Sequence, residues 1–484
     1  MNRDNGVVTR IAIVGGGPAG YEAATVAAQL GADVTLIESD GAGGACVLYD
    51  CVPSKTLIAT SERVTGLRAA PALGVWTDDA PADNARVNVQ VRLDVVNARV
   101  RELAASQSAD ILARLVRAGV TVLPGRARFA ENQHGRTYSI DVLDGDGEPV
   151  DTVHADVVLL ATGGTPRVLA GAEPDGERIL SWRDLYDLTE LPEHLIVVGS
   201  GVTGAEFASA YSEMGVPVTL VSSREKVLPG EDPDAADVIE KVFTEHGGTL
   251  MKHARAEWVK RIDDPAGGVE VGLVDGRTVT GSHVLMCVGS VPNTSGLGLE
   301  HVGLHLNDRG FIEVDRVSRT SVPGIYAAGD CTGILLLASV AAMQGRIAMW
   351  HALGEAVQPL RLKTVAANVF THPEIATVGI GHAAVTSGAA PARTVMLPLA
   401  GNARAKMQGV TDGFVKLYCR PATGVVMGGS VVAPQASELI MQITTAVQLG
   451  LTVNELAAAF AVYPSLSGSI TEAARQLTQH DDLD

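Results

Sequence analysis

Two cysteines and a lysine in the stretch GGACVLYDCVPSK, residues 43–55, have the residue types and the spacing for redox chemistry. On a regular α-helix, the five positions from Cys46 to Cys51 correspond to about 7.5 Å of rise, beyond the reach of a disulfide. Two glycines before Cys46 and Pro53 after Cys51 favour an irregular first turn, which would bring the sulfur atoms together. Lys55 follows Cys51 by one helical turn, where an ammonium group would favour a thiolate.

A second interpretation of this pair stays open, namely two reduced thiols that are kept by packing. Asp50 places a carboxylate directly beside Cys51, and a nearby negative charge disfavours the thiolate. The other three cysteines lie in or beside apolar strand-like segments without a partner motif. We therefore predict buried structural thiols at Cys287, Cys331 and Cys419.

A glycine-rich turn near the start of the chain predicts a dinucleotide site. The segment RIAIVGGGPAG reads as a buried strand, a turn and the start of a helix, and the strand DVTLIE follows. Gly15 allows the tight turn, Gly17 lets the backbone approach a pyrophosphate, and Gly20 packs the helix on the strand. Glu38, at the end of the second strand, fits a ribose hydroxyl.

Residues 195–222 repeat this βαβ pattern. The interval from the first glycine to the end of the second strand is 23 positions in both copies. A gene duplication is the economical interpretation, and a second dinucleotide site is predicted. Two ordinary glycine turns in an α/β sheet are the alternative. The glycines of the second turn are Gly199, Gly201 and Gly204.

The second site differs from the first at the position that reads the ribose. Ser222 stands at the position equivalent to Glu38, and Ser223 and Arg224 follow it. A carboxylate there would repel a 2′-phosphate. Its absence, with a guanidinium group two positions on, predicts that NADPH is accepted and that NADH still binds. Arg224 on a solvated face is the alternative.

The elements around these turns continue the duplication. Each βαβ unit is followed by strand-like segments with an Asp-Gly turn, at 144–145 and 275–276, and by an apolar closing strand. A long helix is predicted over about 91–118, after a surface loop at 71–85. From about residue 360 the glycine-turn pattern stops, and alternating strands and helices predict a separate α+β domain.

Composition limits the class of protein. A chain of 484 residues exceeds one hydrophobic core, and roughly three or four domains are expected. The net charge of −18, without a run of basic residues, disfavours binding to nucleic acid or to a membrane surface. Neither an apolar signal core nor a run long enough to span a bilayer is present, and five cysteines are too few for a disulfide scaffold. A cytoplasmic protein is therefore predicted.

The two glycine-rich turns occur together with four further motifs, namely C-x4-C-x-P-S-K, ATGGTP, GIYAAGD at 324–330 and FTHPEIATVG at 370–379. With this set of motifs, the chain resembles the flavoprotein disulfide reductases nearly end to end. Lipoamide dehydrogenase and glutathione reductase are members of that family. The resemblance implies an α/β fold with two Rossmann-like dinucleotide-binding domains and a C-terminal α+β dimerisation domain, in an obligate homodimer. The implied domains are an FAD-binding domain at 1–165, an NAD(P)H-binding domain at 166–290, a central domain completing the FAD site at 291–360, and a dimerisation domain at 361–484.

The resemblance also implies roles for individual residues. Asp330 would lie on the flavin ribityl chain, Lys55 beside the isoalloxazine N5, and Glu206 would pair with Lys55 near the nicotinamide. No metal site is predicted. The residues predicted to bind FAD are Gly15, Gly17, Pro18, Ala19, Gly20, Glu38, Gly44, Lys55, Gly163 and Asp330. The residues predicted to bind NADPH or NADH are Gly199, Gly201, Gly204, Glu206, Ser222, Ser223, Arg224 and Gly289.

The last segment departs from that family. Disulfide reductases carry His-Pro-Thr and a Glu five residues after the His, a dyad that shuttles a proton during dithiol exchange. In this chain Tyr463 stands at the His position, Ser465 at the Thr position and Gly468 at the Glu position. A phenol with a pKa of about 10 is a poor base near neutral pH, and a glycine cannot orient it.

This departure predicts the reaction. The chain is similar to lipoamide-dehydrogenase-like quinone reductases, which also lack the dyad. We predict an FAD-dependent NAD(P)H:quinone oxidoreductase with a small-molecule quinone as acceptor, in which Cys46 and Cys51 are a redox pair not required for the main reaction. Two alternatives stay open: a disulfide reductase acting on lipoamide or a low-molecular-weight thiol through these cysteines, and a non-enzymatic redox sensor or scaffold that holds nucleotides.

Overall fold

The computed structural model describes residues 8–75, 89–131, 133, 137–262 and 267–478. The strands are β1 (Arg10–Val14), β2 (Asp33–Glu38), β3 (Thr121–Pro124), β4 (Arg126–Phe129), β5 (Tyr138–Leu143), β6 (Pro149–Ala155), β7 (Val157–Leu160), β8 (Gly164–Pro166), β9 (Ile179–Leu180), β10 (Leu195–Val198), β11 (Val218–Val221), β12 (Thr249–Met251), β13 (Ala256–Arg261), β14 (Val269–Leu273), β15 (Thr278–Gly281), β16 (His283–Met286), β17 (Ser290–Pro292), β18 (Ile325–Ala327), β19 (Ala366–Val369), β20 (Glu374–Gly379), β21 (Arg393–Pro398), β22 (Phe414–Cys419) and β23 (Val426–Ala433).

The α-helices are α1 (Pro18–Gln29), α2 (Gly44–Leu48), α3 (Cys51–Ala69), α4 (Leu93–Arg117), α5 (Val202–Met214), α6 (Pro233–Glu245), α7 (Ala338–Ala352), α8 (His382–Thr386), α9 (Ala403–Met407), α10 (Ala436–Leu449), α11 (Val453–Ala457) and α12 (Gly468–Gln476). Short 3-10 helices lie at Ala70–Leu73, Asp184–Asp187, Leu299–Val302, Asp330–Thr332, Leu362–Thr364 and Leu399–Gly401. Helix α4 confirms the long helix predicted at 91–118. Of the loop predicted at 71–85, residues 76–85 lie outside the described residues.

The chain forms two compact units, and the first contains the residues up to 56, 97–167 and 289–360. Its main sheet is parallel, in the order β18-β7-β1-β2-β3, so the glycine turn that follows β1 lies at the centre of the sheet. Helices α1 and α7 pack closely, because an added Cβ on Gly345 of α7 would overlap the backbone oxygen of Ala19. Strands β4, β5 and β6 form an antiparallel sheet.

The second unit contains residues 57–96, 168–288 and those from 361 onward. Its first sheet is also parallel, in the order β12-β11-β10-β16-β9, and again the glycine turn follows the central strand. Strands β13, β14 and β15 form an antiparallel sheet. The last sheet is antiparallel, in the order β19-β20-β23-β22-β21, and shares its core with helices α10 and α12. The predicted duplication is therefore confirmed in the order of both parallel sheets.

The predicted Asp-Gly turns close hairpins in both copies. Asp144 lies between β5 and β6, and its Oδ1 accepts hydrogen bonds from the backbone N of Asp146 and of Glu148, each at 3.0 Å. Asp275 lies between β14 and β15, and its Oδ1 accepts from the backbone N of Arg277 at 3.1 Å. An Asp side chain that bonds its own backbone two residues on stabilises such a turn locally, which is why the sequence predicts it.

A buried ion cluster joins α6 to β22 within the second unit. Lys416 is only 2% exposed, and its Nζ lies 2.7 Å from both carboxylate oxygens of Asp232 and 2.5 Å from Oδ2 of Asp234. Tyr418 donates a hydrogen bond of 3.1 Å to Asp232, and burial followed by the charge of Asp232 raises the pKa of this phenol. Asp232, Asp234 and His382 have the composition of a metal site. The ammonium group of Lys416 is already the counter-ion of these carboxylates, so the cluster is an ion-pair network.

The three boundaries between the four predicted domains stay a prediction. In the first parallel sheet, strand β18 comes from the segment 291–360 and pairs with β7 from the segment 1–165.

Candidate dinucleotide and redox sites

The first glycine turn has the backbone that a pyrophosphate site requires. Gly15 has φ of +102°, in the left-handed region, and an added Cβ there would overlap the backbone oxygen of Ala161. An added Cβ on Gly20 would overlap the backbone oxygen of Gly15. At Gly17, by contrast, an added Cβ would meet no atom within 4 Å. Two glycines are therefore needed for packing, and the third leaves open space at the N-terminus of α1.

The remaining residues of this turn hold its shape. Glu38 accepts hydrogen bonds from the backbone N of Gly16 at 2.5 Å and of Asp40 at 2.7 Å, so both carboxylate oxygens are oriented by the backbone. An added Cβ on Gly44 would lie 2.9 Å from Cα of Gly17. Because glycine has no side chain, Gly44 leaves the space beside Gly17 open. Pro18 is the first residue of α1. These residues fit the pyrophosphate and ribose of a dinucleotide.

Gly163 and Asp330 lie at the carboxyl ends of neighbouring strands β7 and β18. The carbonyl oxygen of Gly163 accepts a hydrogen bond of 3.0 Å from the backbone N of Asn293. Asp330 is half-buried, and this desolvation, followed by the negative charge of Asp50, raises its pKa to about 6. Ala19 is buried beside the turn that leads to Asp330. A half-buried carboxylate with a raised pKa is typical of a site that receives a polar ligand.

The cysteine pair has the irregular geometry that the sequence predicts. Helix α2 ends at Leu48 and α3 begins at Cys51, so the cysteines lie on two different helices. Both are free thiols, and their side chains share a hydrogen bond. This bond lowers the pKa of Cys46 and raises that of Cys51. The charge of Asp50 raises both pKa values and that of Lys55 lowers both, as predicted.

We therefore expect Cys46 to be the reactive thiol. In the reduced protein at pH 7.5, iodoacetamide should label Cys46 at least fivefold faster than Cys51, because alkylation requires the thiolate. Peptide mass spectrometry of timed samples measures both rates. Cys51→Ser keeps a donor beside Cys46 and should preserve the labelling rate, whereas Cys51→Ala should slow it. Equal labelling of the two cysteines in the native sequence would contradict this assignment.

The second glycine turn repeats the constraints of the first. Gly199 has φ of +110°, and an added Cβ would overlap the backbone oxygen of Cys287. An added Cβ on Gly204 would overlap the backbone oxygen of Gly199, and one on Gly201 would meet no atom within 4 Å. The N-terminus of α5 is therefore as open as that of α1 and fits a second dinucleotide.

The residues after β11 differ in accessibility. Ser222 is completely buried, and its hydroxyl group bonds the Ser200 hydroxyl at 2.7 Å and accepts from the backbone N of Arg224 at 3.1 Å. This side chain holds the loop, and a contact of Ser222 with the nucleotide stays a prediction. Ser223 and Arg224 are exposed. Gly289 lies where the chain returns to the first unit, and its carbonyl oxygen accepts from the backbone N of Arg167 at 2.9 Å.

Glu206 lies on the first turns of α5 and is 3% exposed. Its Oε1 accepts a hydrogen bond of 2.9 Å from the backbone N of Phe370. Phe370 begins the motif FTHPEIATVG, so this motif holds a candidate catalytic carboxylate. Glu206 and Phe370 each lie in a sequence motif, but nothing in the sequence indicates that these two residues are in contact.

Tyr463 is 85% exposed and precedes a cis peptide bond to Pro464. Gly468, at the position of the family glutamate, is the first residue of α12, and its backbone N donates to Ser465 Oγ at 3.1 Å. Asn402 bonds the carbonyl oxygen of Ser465 at 3.0 Å and so anchors the segment. In this single chain, the phenol of Tyr463 therefore lies on the surface. The N-terminus of α12 lies at the position where the family has the glutamate that orients its histidine.

The other cysteines follow the prediction in part. Cys331 and Cys419 are completely buried, and burial raises the pKa of Cys331 to about 11. Cys287 is only half-buried, because it follows β16 at the glycine turn rather than lying inside the sheet. Sequence reasoning also missed Ser209 and Glu213. Their signal was the spacing of polar residues at 206, 209 and 213 in a helix of mostly small and apolar residues.

A parallel sheet with a glycine turn at its centre, present twice, defines a protein that holds two dinucleotides. The chain belongs to the pyridine nucleotide-disulphide oxidoreductase family, whose pattern matches residues 9–345. Residues 365–474 match the dimerisation domain of the same family. The predicted family, fold class and enzyme class are confirmed, and the family uses FAD and NAD(P)H. The dimerisation domain supports a homodimer.

Individual relatives are similar over almost their whole length. The chain is 60% identical to the NAD(P)H dehydrogenase (quinone) of Mycobacterium tuberculosis, over 99% of this chain and 96% of that protein. It is 33% identical to the dihydrolipoyl dehydrogenase of Chlorobaculum tepidum, over 96% of each. The crystal structure of LpdA from Mycobacterium tuberculosis superposes with a TM-score of 0.91 at 59% identity, covering 98% of this chain and 100% of that one. Among the described helices, none has the length and apolarity to cross a bilayer.

Proposed function

We propose that this protein is an FAD-dependent NAD(P)H:quinone oxidoreductase. The observation that carries the proposal is the contrast between two complete dinucleotide turns and a tyrosine, Tyr463, at the position of the family base. The identity of 60% to an NAD(P)H dehydrogenase (quinone) supports it. Nucleotide binding is retained in this chain, whereas the acid-base pair for dithiol exchange is replaced.

We propose the following roles for this chain's residues. The turns at Gly17 and Gly201 bind the pyrophosphates of FAD and of NAD(P)H, and Glu38 orients the FAD ribose. Asp330 binds the ribityl chain, and Lys55 and Glu206 orient the reacting rings. FAD, when bound, accepts a hydride from NAD(P)H and passes electrons on to an acceptor.

A second candidate function is an NAD(P)H-dependent disulfide reductase, and the hydrogen bond between Cys51 and Cys46 favours it. The similarity to a dihydrolipoyl dehydrogenase also favours this second function. Against it, Tyr463 and Gly468 supply no acid-base pair for the outer sulfur. We therefore rank quinone reduction first.

The choice of acceptor tests the function. The flavin-loaded protein is mixed with NADPH and then with a benzoquinone, a naphthoquinone or lipoamide, and NADPH oxidation is followed at 340 nm. We expect both quinones to be reduced at least a hundredfold faster than lipoamide. Cys46→Ser should keep more than half of the quinone turnover. Efficient lipoamide reduction, lost in Cys46→Ser together with quinone turnover, would establish the disulfide reductase instead.

Arg224 is proposed to recognise the 2′-phosphate of NADPH. Arg224→Ala should raise KM for NADPH about tenfold, the value of one charge-assisted hydrogen bond, and change KM for NADH less than twofold. Steady-state kinetics with both nucleotides measure this. Arg277→Ala, which removes an equal charge from the exposed β14–β15 turn, is the control. Equal changes in both KM values would refute the assignment.

We further propose the four domains with boundaries at 165, 290 and 360, a homodimer as the functional state, and a quinone as the small-molecule partner. A cytoplasmic location remains the prediction from composition.

A further inference from the structure

Helix α5 carries a row of polar side chains that the proposed mechanism does not use in full. Glu206, Ser209 and Glu213 follow one another at intervals of three and four residues, so they lie along one face of the helix. Glu206 is 3% exposed and Glu213 is 5% exposed. Two buried carboxylates on one helix need specific partners, since burying a charge without them costs several kcal/mol.

The N-terminal half of this row bonds the segment after β19. The backbone N of Phe370 donates to Glu206 Oε1 at 2.9 Å, and the backbone N of His372 donates to Ser209 Oγ at 3.1 Å. The Ser209 hydroxyl in turn donates to Glu213 Oε1 at 2.8 Å. Ser209 is therefore the link that joins the amide of His372 to the carboxylate of Glu213.

The C-terminal half of the row bonds the later part of α3, within the same unit. Ser61 donates to Glu213 Oε2 at 3.1 Å and Thr65 donates to it at 3.3 Å. Arg68 donates to the carbonyl oxygen of Glu213 at 2.5 Å. Burial raises the pKa of Glu213, while the three hydroxyl groups oppose that rise. Both carboxylate oxygens of Glu213 are hydrogen-bonded. These bonds restrict both rotation of α5 and its sliding along its own axis relative to α3.

An apolar side chain would fill the position of Glu213 without this network, so packing alone does not require a carboxylate there. The bonds of Ser209 and Glu213 set where the first turns of α5 lie relative to Phe370. The side chain that depends on this setting is Glu206, whose carboxylate accepts a hydrogen bond from the backbone N of Phe370 in that segment. An error of about 1 Å at a reacting group can cost about a hundredfold in rate.

We propose that Ser209 and Glu213 are positioning residues for hydride transfer, because they hold α5 and the 370–372 segment in the register that orients Glu206. The inference rests on the proposed role of Glu206 beside the nicotinamide. It assigns to Ser209 and the buried Glu213 a contribution to the rate of flavin reduction that is separable from nucleotide affinity.

The test measures flavin reduction by NADPH in the FAD-loaded enzyme, by anaerobic stopped flow. We expect Ser209→Ala and Glu213→Gln to slow the limiting rate per bound flavin about tenfold, while Kd for NADPH changes less than twofold. Ser209→Thr keeps the hydroxyl group and should restore the rate to within twofold. A cavity of about 20 Å³ borders Ser209. Ser212→Ala, on the same helix but outside the network, is the matched control.

The outcomes separate this inference from the function on which it rests. A role limited to stability would lower the melting temperature of Ser209→Ala and leave the limiting rate per flavin unchanged, which overturns the inference. Two variants guard against a folding failure, because Glu213→Gln keeps the side-chain volume at position 213 and removes only the charge. If Glu206→Gln itself leaves the rate unchanged, the role of Glu206 fails and the inference fails with it. If Glu206→Gln slows reduction but Ser209→Ala and Glu213→Gln do not, only the inference fails.

Discussion

Gly204→Ala is expected to lower kcat/KM for NADPH and NADH at least a hundredfold while FAD stays bound. The reason is steric, because the new Cβ would overlap the backbone oxygen of Gly199 and force the second glycine turn apart. The first turn, with Gly15 and Gly20, contributes no atom to that overlap. The measurement is steady-state kinetics with each nucleotide, together with the flavin absorbance of the purified variant.

The equivalent change in the first turn gives the opposite pattern. In Gly20→Ala the added Cβ would overlap the backbone oxygen of Gly15, so FAD should be lost and all turnover with it. Gly66→Ala is the matched control, because its added Cβ meets no atom within 4 Å. A Gly204→Ala protein with unchanged kcat/KM, or one that has lost FAD but retains its nucleotide affinity, would contradict the assignment of the second turn to NAD(P)H.

Lys416→Met should lower the free energy of unfolding of the second unit by about 3–5 kcal/mol. Lys416 neutralises Asp232, and both residues are buried. Without the ammonium group, Asp232 is left as a buried carboxylate that keeps the Tyr418 hydroxyl group, the backbone N of Asp234 and, at 3.9 Å, Nδ1 of His382 beside it. Urea denaturation followed by tryptophan fluorescence measures the loss.

Two further variants make this prediction specific. Asp232→Asn combined with Lys416→Met removes both charges and should recover part of the loss, because no buried charge is then left unpaired. Lys406→Met removes an exposed charge from α9, in the same segment of the chain, and should change the free energy of unfolding by less than 0.5 kcal/mol, as is usual for surface substitutions. A loss below about 1 kcal/mol in Lys416→Met would show that the cluster contributes little.

Local motifs account for the part of the site that the sequence predicts well. Gly20 and Gly204 are predicted because each constraint acts within a few residues, on one turn and one helix. The first glycines of the turns are predicted from the motif, but the backbone oxygens that exclude a Cβ there belong to the distant Ala161 and Cys287. The irregular turn at Cys46 and Cys51 is predicted for the same local reason as Gly20 and Gly204, since glycines and a proline surround it. What spacing alone did not reveal is the hydrogen bond between the two side chains, which lowers the pKa of Cys46 and raises that of Cys51.

The prediction for Ser222 shows where such reasoning ends. Its position after the second strand is the one that reads the ribose, and residue type makes it a plausible contact. Its orientation, however, depends on Ser200, 22 residues away, which takes the hydroxyl group inside the protein. The neighbouring Ser223 and Arg224 are exposed, and only the packing of the loop separates these residues from Ser222.

The sequence by itself determined the family, the duplicated dinucleotide turns, the loss of the family base at Tyr463 and hence the kind of acceptor to expect. Those conclusions depend on residue type and on spacing of a few positions, which local backbone physics translates directly into structure. Only the tertiary structure decided that Phe370 holds Glu206, that Ser61 bonds Glu213, and that Lys416 pairs with Asp232. These partners are 164, 152 and 184 positions apart. No periodicity encodes such pairs, because they form where separately folded segments pack and exclude water from their charges.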